Sequence, residues 1–125
     1  MFRLFDLLGR SSAIRALDDA FRASGMHPLL VPEPVKLTLI QLVKKHGRGN
    51  QQTDFAQAAR LMAYCSLGHA QFMDQHGESE AQSLDLSLED ALDHGSSLDA
   101  KVILLALHSG LMSPEIADRI DLDED

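Results

Sequence analysis

Apolar residues in this chain recur three and four positions apart in one segment after another. No stretch sustains the apolar–polar alternation of a half-buried strand, and no Asn-Gly or Asp-Gly hairpin turn is present. That periodicity restricts the chain to an all-α fold. The side chains available for a core agree, because Trp is absent, Tyr occurs once and Phe five times. Leu, Ala, Ile, Val and Met must therefore build the interior, and a palette poor in aromatic residues favours helices over strands. With 125 residues and 45% hydrophobic content, residues 1–120 are expected to form a single helical domain.

Six helices can be read. Ser11 or Ser12 is expected to cap the first, which runs to about Ser24 and stops at Gly25. Arg15 with Asp19, and Asp18 with Arg22, stand four apart on its outer face. Residues 26–34 hold three prolines and read as an extended connector with its apolar side chains tucked onto the bundle. Pro34 then opens a nearly central helix to about His46. Thr53 or Asp54 is expected to cap the longest helix, to about His76, with Phe55, Ala58, Met62, Cys65, His69 and Phe72 inward. Gly68 within it implies a close approach of another helix or a break. A helix over about 78–94 pairs an apolar side, Ala81 to Leu92, with an acidic outer face. Another begins at Ser97 and closes at Gly110, and Ser113-Pro114-Glu115 starts a short last helix. Before the first helix, residues 1–9 form a short helix or arm; after the last, 121–125 form an acidic tail.

Charge divides the chain more sharply than hydropathy does. Residues 1–73 carry nine Lys and Arg against five Asp and Glu, a net of +4, while residues 74–125 carry two against fourteen, a net of −12. Such a division can steer unlike surfaces together, within one chain or between subunits; a solvated acidic face and tail is the plainer expectation. Lys44, Lys45 and Arg48 cluster among glycines, but no stacking aromatics accompany them and the net charge is −8, so nucleic acid is not the expected partner.

Few residues suggest chemistry. Four of six histidines fall where helices end: His46-Gly47, His76-Gly77, His94-Gly95 and His108-Ser109-Gly110. A partly charged imidazole suits the negative helix end and glycine the left-handed residue beyond it, so these read as caps. Met62, Cys65 and His69 share a helical face and offer the alternative function, a small ligand or soft metal bound in the bundle. A structural zinc site needs four ligands, and there is no second cysteine, so no metal and no cofactor is expected. Burial would keep Cys65 unreactive. Neither a metalloprotease pattern, a di-iron pattern nor a glycine-rich phosphate loop occurs, and no catalytic residue is assigned. Tyr64 and Leu67-Gly68-His69-Ala70 match a few positions of the tetratricopeptide repeat. The rest of that pattern and a second copy are missing, so that family is not assigned.

The expected function is therefore a non-enzymatic helical interaction module, a small adaptor or regulatory subunit that is cytoplasmic and can form a homodimer. Its candidate contacts are Phe2, Phe5 and Leu8 on the N-terminal arm, and the basic trio Lys44, Lys45 and Arg48. A lone cysteine agrees with a reducing compartment. Arg3 and Asp6 interrupt the apolar N-terminus too early for a secretory signal, and no run reaches membrane-span length.

Overall fold

The computed structural model describes the backbone of residues 2–121 and the side chains of residues 12–120. Seven α-helices and one 3-10 turn make up the described chain, with no strand among the described residues. The helices are α1 (Phe2–Ala23), α2 (Glu33–His46), α3 (Gln51–Leu67), α4 (His69–His76), α5 (Glu78–Asp93), α6 (Leu98–His108) and α7 (Pro114–Asp121); the 3-10 turn, Pro28–Leu30, lies between α1 and α2. No described helix is long and apolar enough to cross a membrane.

The hub is α3, which packs against α1, α2, α4, α5 and α6. Leu61 to Cys65 are buried without interruption, as are Ala58 and Ala59. A helix buried on nearly all sides needs small residues where neighbours approach, and Ala58, Ala59 and Ala63 supply them. The sequence puts α2 near the centre instead. In the structure α2 buries one stripe (Leu39, Ile40 and Val43), and Leu37 and Leu42 stay partly exposed.

Three helix boundaries and one cap differ from expectation. The first helix is not capped at Ser11 or Ser12; α1 passes through them from Phe2 to Ala23. Neither serine interrupts the ladder, and no Pro stands nearby to stop it. Helix α3 begins earlier than Thr53, because the Asn50 side chain accepts the Thr53 N–H at 3.1 Å. Asp54 is spent elsewhere, its Oδ2 accepting the Arg48 N–H at 2.9 Å. The long helix breaks at Gly68, and Ser113 precedes α7 without capping it through its hydroxyl, which has no hydrogen-bond partner in the protein.

Gly68 and Gly77 each end one helix and begin the next, with φ/ψ of 86/165° and 95/162°. This region is essentially confined to glycine, and it turns the chain without an intervening loop. At Gly68 space is also short: a Cβ would stand 3.1 Å from Glu115 Oε2 and 3.5 Å from Ser113 Oγ, at the start of α7. The Ser113 N–H there donates to the Cys65 carbonyl at 2.8 Å. The break in the long helix is thus the docking point of the last one.

Candidate functional site

Around that docking point the structure assembles a polar cluster from four helices. Tyr64, on α3, is fully buried and holds its hydroxyl 2.8 Å from His69 Nδ1 at the start of α4 and 3.0 Å from Asp85 Oδ1 on α5. Arg119, on α7, donates through Nη1 to the same Asp85 oxygen at 2.5 Å, and its Nη2 lies 3.7 Å from Glu89 Oε1. Edge-on contacts of the Tyr64 ring with His69 and Phe72, at centroid distances of 5.8 and 5.5 Å, fix the geometry.

Counting protons assigns the roles. A carboxylate only accepts, and a tyrosine has one proton to give, so Tyr64 donates to Asp85 and must accept from His69. His69 therefore carries its proton on Nδ1, and in the neutral ring Nε2 keeps its lone pair. Burial alone would raise the Asp85 carboxyl, but the hydrogen bonds from Arg119 and Tyr64, with the guanidinium charge, hold it below the usual carboxylate range. Burial, then the neighbouring Asp85, pushes the Tyr64 hydroxyl well above its ordinary value, so it stays protonated. Burial would lower Arg119, yet its hydrogen bond to Asp85 and that charge raise it. The cluster is a directly bonded Asp85–Arg119 ion pair that a neutral phenol links to His69, and it ties α3, α4, α5 and α7 together. One imidazole nitrogen is too few donors for a metal, and among the described residues no group of three or more His, Cys, Asp or Glu could hold one.

The alternative ligand set falls on either side of the Gly68 break. Met62 and Cys65 are fully buried on α3, and burial pushes the Cys65 thiol up to about 12 despite the nearby Arg119 charge. His69 belongs to α4 and is committed to Tyr64 through Nδ1. Sequence spacing alone puts Cys65 and His69 on one continuous helix face; the change of direction at Gly68 ends that continuity.

The histidine–glycine pairs share a position but not a geometry. His94 Nδ1 bonds the Asp90 carbonyl of its own helix at 3.0 Å, as a cap should. His76 instead donates through Nε2 to the Ser24 carbonyl at 2.8 Å, so it caps the exit of α1 from the end of α4. Its ring also packs on Phe72, with centroids 4.4 Å apart. Gly77 and Gly110 have positive φ, but Gly47 does not, at −66°. Glycine is needed at 47 for space, since a Cβ there would meet the Val43 carbonyl and stand 2.5 Å from Asp54 Oδ2.

Of the candidate contact residues, Phe2, Phe5 and Leu8 fall in the first half of α1, and their side chains lie outside the described residues, as does the tail beyond Asp121. Lys44, Lys45 and Arg48 are exposed where α2 ends. Lys44 lines a cleft of about 310 Å³ with Gly47, Gly49, Gln51 and Asp54; Arg48 lines another of about 150 Å³ with Gln57, Asp54 and Asp99. Burial raises the Asp99 carboxyl, partly offset by Arg48 and Gln57. Both clefts mix signs, unlike the uniformly basic footprint a phosphate backbone selects.

The acidic half carries a surface feature that periodicity hides. Leu92 follows the inward spacing of α5 but is 37% exposed, and Leu104, on α6, is 43% exposed. Between them lies an apolar groove of about 140 Å³, lined also by Ala91, Gly95, Ala100, Ile103 and Ile120 of α7. Exposed Glu89, Asp90, Asp93 and Asp118 stand on the helices that form it. Comparison of the chain with known protein families, characterised proteins and solved structures finds no match in any of the three.

Proposed function

We propose that this chain is a non-enzymatic helical interaction module, a small adaptor or regulatory subunit, and that its docking surface is the α5–α6–α7 groove. The observation that carries the reading is the leucine-flanked groove set in the strongly acidic half of the chain. Scattered exposed leucines are ordinary, but these two border one shared apolar depression, a shape able to seat an apolar side chain of a partner. The volume suits a side chain rather than a metabolite: small-molecule sites usually start near about 300 Å³, and an apolar cavity of about 150 Å³ accepts a benzene-sized group. The exposed carboxylates that α5 and α7 carry would favour a partner of opposite charge and speed its approach.

The test is a photo-reactive residue placed at Leu104, irradiated in extract of the source cells, with the same residue at exposed Gln41 of α2 as the comparison. A discrete protein adduct specific to position 104 is expected. Equal labelling from both positions, or none from 104, would end the reading.

A further inference from the structure

A groove of this size needs an occupant with one or two apolar side chains on a firm support, drawn from a surface less acidic than its own. The chain carries such an element. The connector is a 3-10 turn between α1 and α2, not simply extended, and only part of it tucks onto the bundle as the sequence leads one to expect. Met26 and Val31 are buried, but Leu29 and Leu30 are 85% and 62% exposed. Around them the backbone is held tightly. Pro28 and Val31 are buried, Leu29 N–H donates to His27 Nδ1 at 3.1 Å, and Leu30 N–H donates to the His27 carbonyl at 3.0 Å. Pro28, Pro32 and Pro34 restrict the flanking φ angles. A backbone already held in this way loses little further conformational freedom on docking, which is how preorganisation raises affinity.

Charge supplies the second argument. The turn itself is near neutral, flanked in sequence by exposed Arg22 and Glu33, and belongs to the half of the chain with net +4, whereas the groove belongs to residues 74–125, net −12. Resting on the interaction reading above, we infer that the partner is a second copy of this chain, and that Leu29 and Leu30 of one copy seat in the groove of the other. Knob and groove are different surfaces, so the contact joins unlike faces. It closes into a dimer or ring only if the rotation between copies permits.

Unlike faces make the inference testable by complementation. Leu29→Asp/Leu30→Asp removes the knob and Leu104→Asp spoils the groove; all three residues are exposed, and unchanged circular dichroism melts confirm that each variant folds. Sedimentation equilibrium at low salt is expected to show wild-type mass rising with concentration and each variant remaining monomeric. An equimolar mixture of the two variants regains dimer mass, since each keeps the half the other lost. A wild-type chain that stays monomeric to millimolar concentration overturns the inference. So does a mixture no heavier than its components, which would indicate a like-to-like contact or another surface. A position-104 adduct with a foreign protein in place of a second copy refutes self-docking and leaves the interaction reading standing, whereas no adduct at all removes both.

Discussion

Gly68 shows how much one residue decides. Its φ of 86° with ψ of 165° is a conformation that side-chain-bearing residues hold only at about 1–3 kcal/mol. A Cβ would also crowd the Glu115 carboxylate, 3.1 Å away, where α7 docks. Gly68→Ala is therefore expected to destabilise the fold by about 1–3 kcal/mol, read as a lowered urea midpoint. Gly95→Ala is the matched comparison: Gly95 is not among the positive-φ glycines, and a Cβ there meets nothing within 4 Å. Alanine at 95 should be neutral or stabilise by up to about 1 kcal/mol, through the lower entropy of the unfolded chain. Similar losses at both positions would mean that the special geometry of Gly68 carries no weight. The charged residues follow the same local logic. Asp18 does not pair with Arg22 along α1; it meets Lys36 of α2 at 2.9 Å in a largely buried bridge, while Arg22 takes Asp19.

At the scale of elements, most of the fold was legible because apolar periodicity reports burial directly. The segments about Leu39, Phe55, Leu84 and Val102 are helices with the expected faces inward. Boundaries were less legible, since they depend on which of several adjacent polar side chains finds a backbone N–H. Ser11 and Ser12 looked like caps and lie inside α1, whereas Asn50 caps α3. Substitution separates these roles. Asn50→Ala should cost about 1 kcal/mol, and Ser12→Ala, at an exposed interior position, should leave stability unchanged or raise it by about 0.5 kcal/mol; thermal melts measure both.

The Tyr64–His69–Asp85–Arg119 cluster was not legible, because Asp85 resembles the rest of the acidic face of α5 and Arg119 follows it by thirty-four positions. The one hint was the chain's lone tyrosine, next to the inward Met62 and Cys65, since a phenol that is buried needs a partner. The pH dependence of the cluster has a definite sign. Folding lowers the Asp85 pKa, so the unfolded chain takes up the proton more readily. The stability that the pair contributes is full above the ordinary aspartate value, about pH 4, and is lost as pH falls through the folded value. Asp85→Asn should lower stability at neutral pH and make the acid limb of the unfolding profile shallower. An acid limb that superposes on the wild type would assign acid sensitivity to other carboxylates.

Over the whole molecule, the division of charge sets two forces against each other. Glu89 and Asp93 stand four apart on α5, as do Asp85 and Glu89, and such like pairs repel within one chain by about 0.2–0.5 kcal/mol each. Asp85 and, more distantly, Glu89 are answered by Arg119, and Glu80 by Arg60, but Asp93 and Asp118 remain exposed on the helices that form the groove. Added salt screens this repulsion, and the Debye length shrinks from about 30 Å at 0.01 M to about 3 Å at 1 M. The half-buried Arg119–Asp85 pair is screened less. Salt should therefore raise the melting temperature of the monomeric Leu104→Asp variant. Between copies the charge effect reverses, because the halves that meet in the knob-and-groove contact carry opposite net sign. Salt should weaken wild-type association over the same range in which it stabilises the single chain. Calorimetry of the variant and sedimentation of the wild type, each taken across the salt series, measure the two slopes. If association strengthened with salt, apolar burial alone would be driving it, and charge polarity would have no part in choosing the partner.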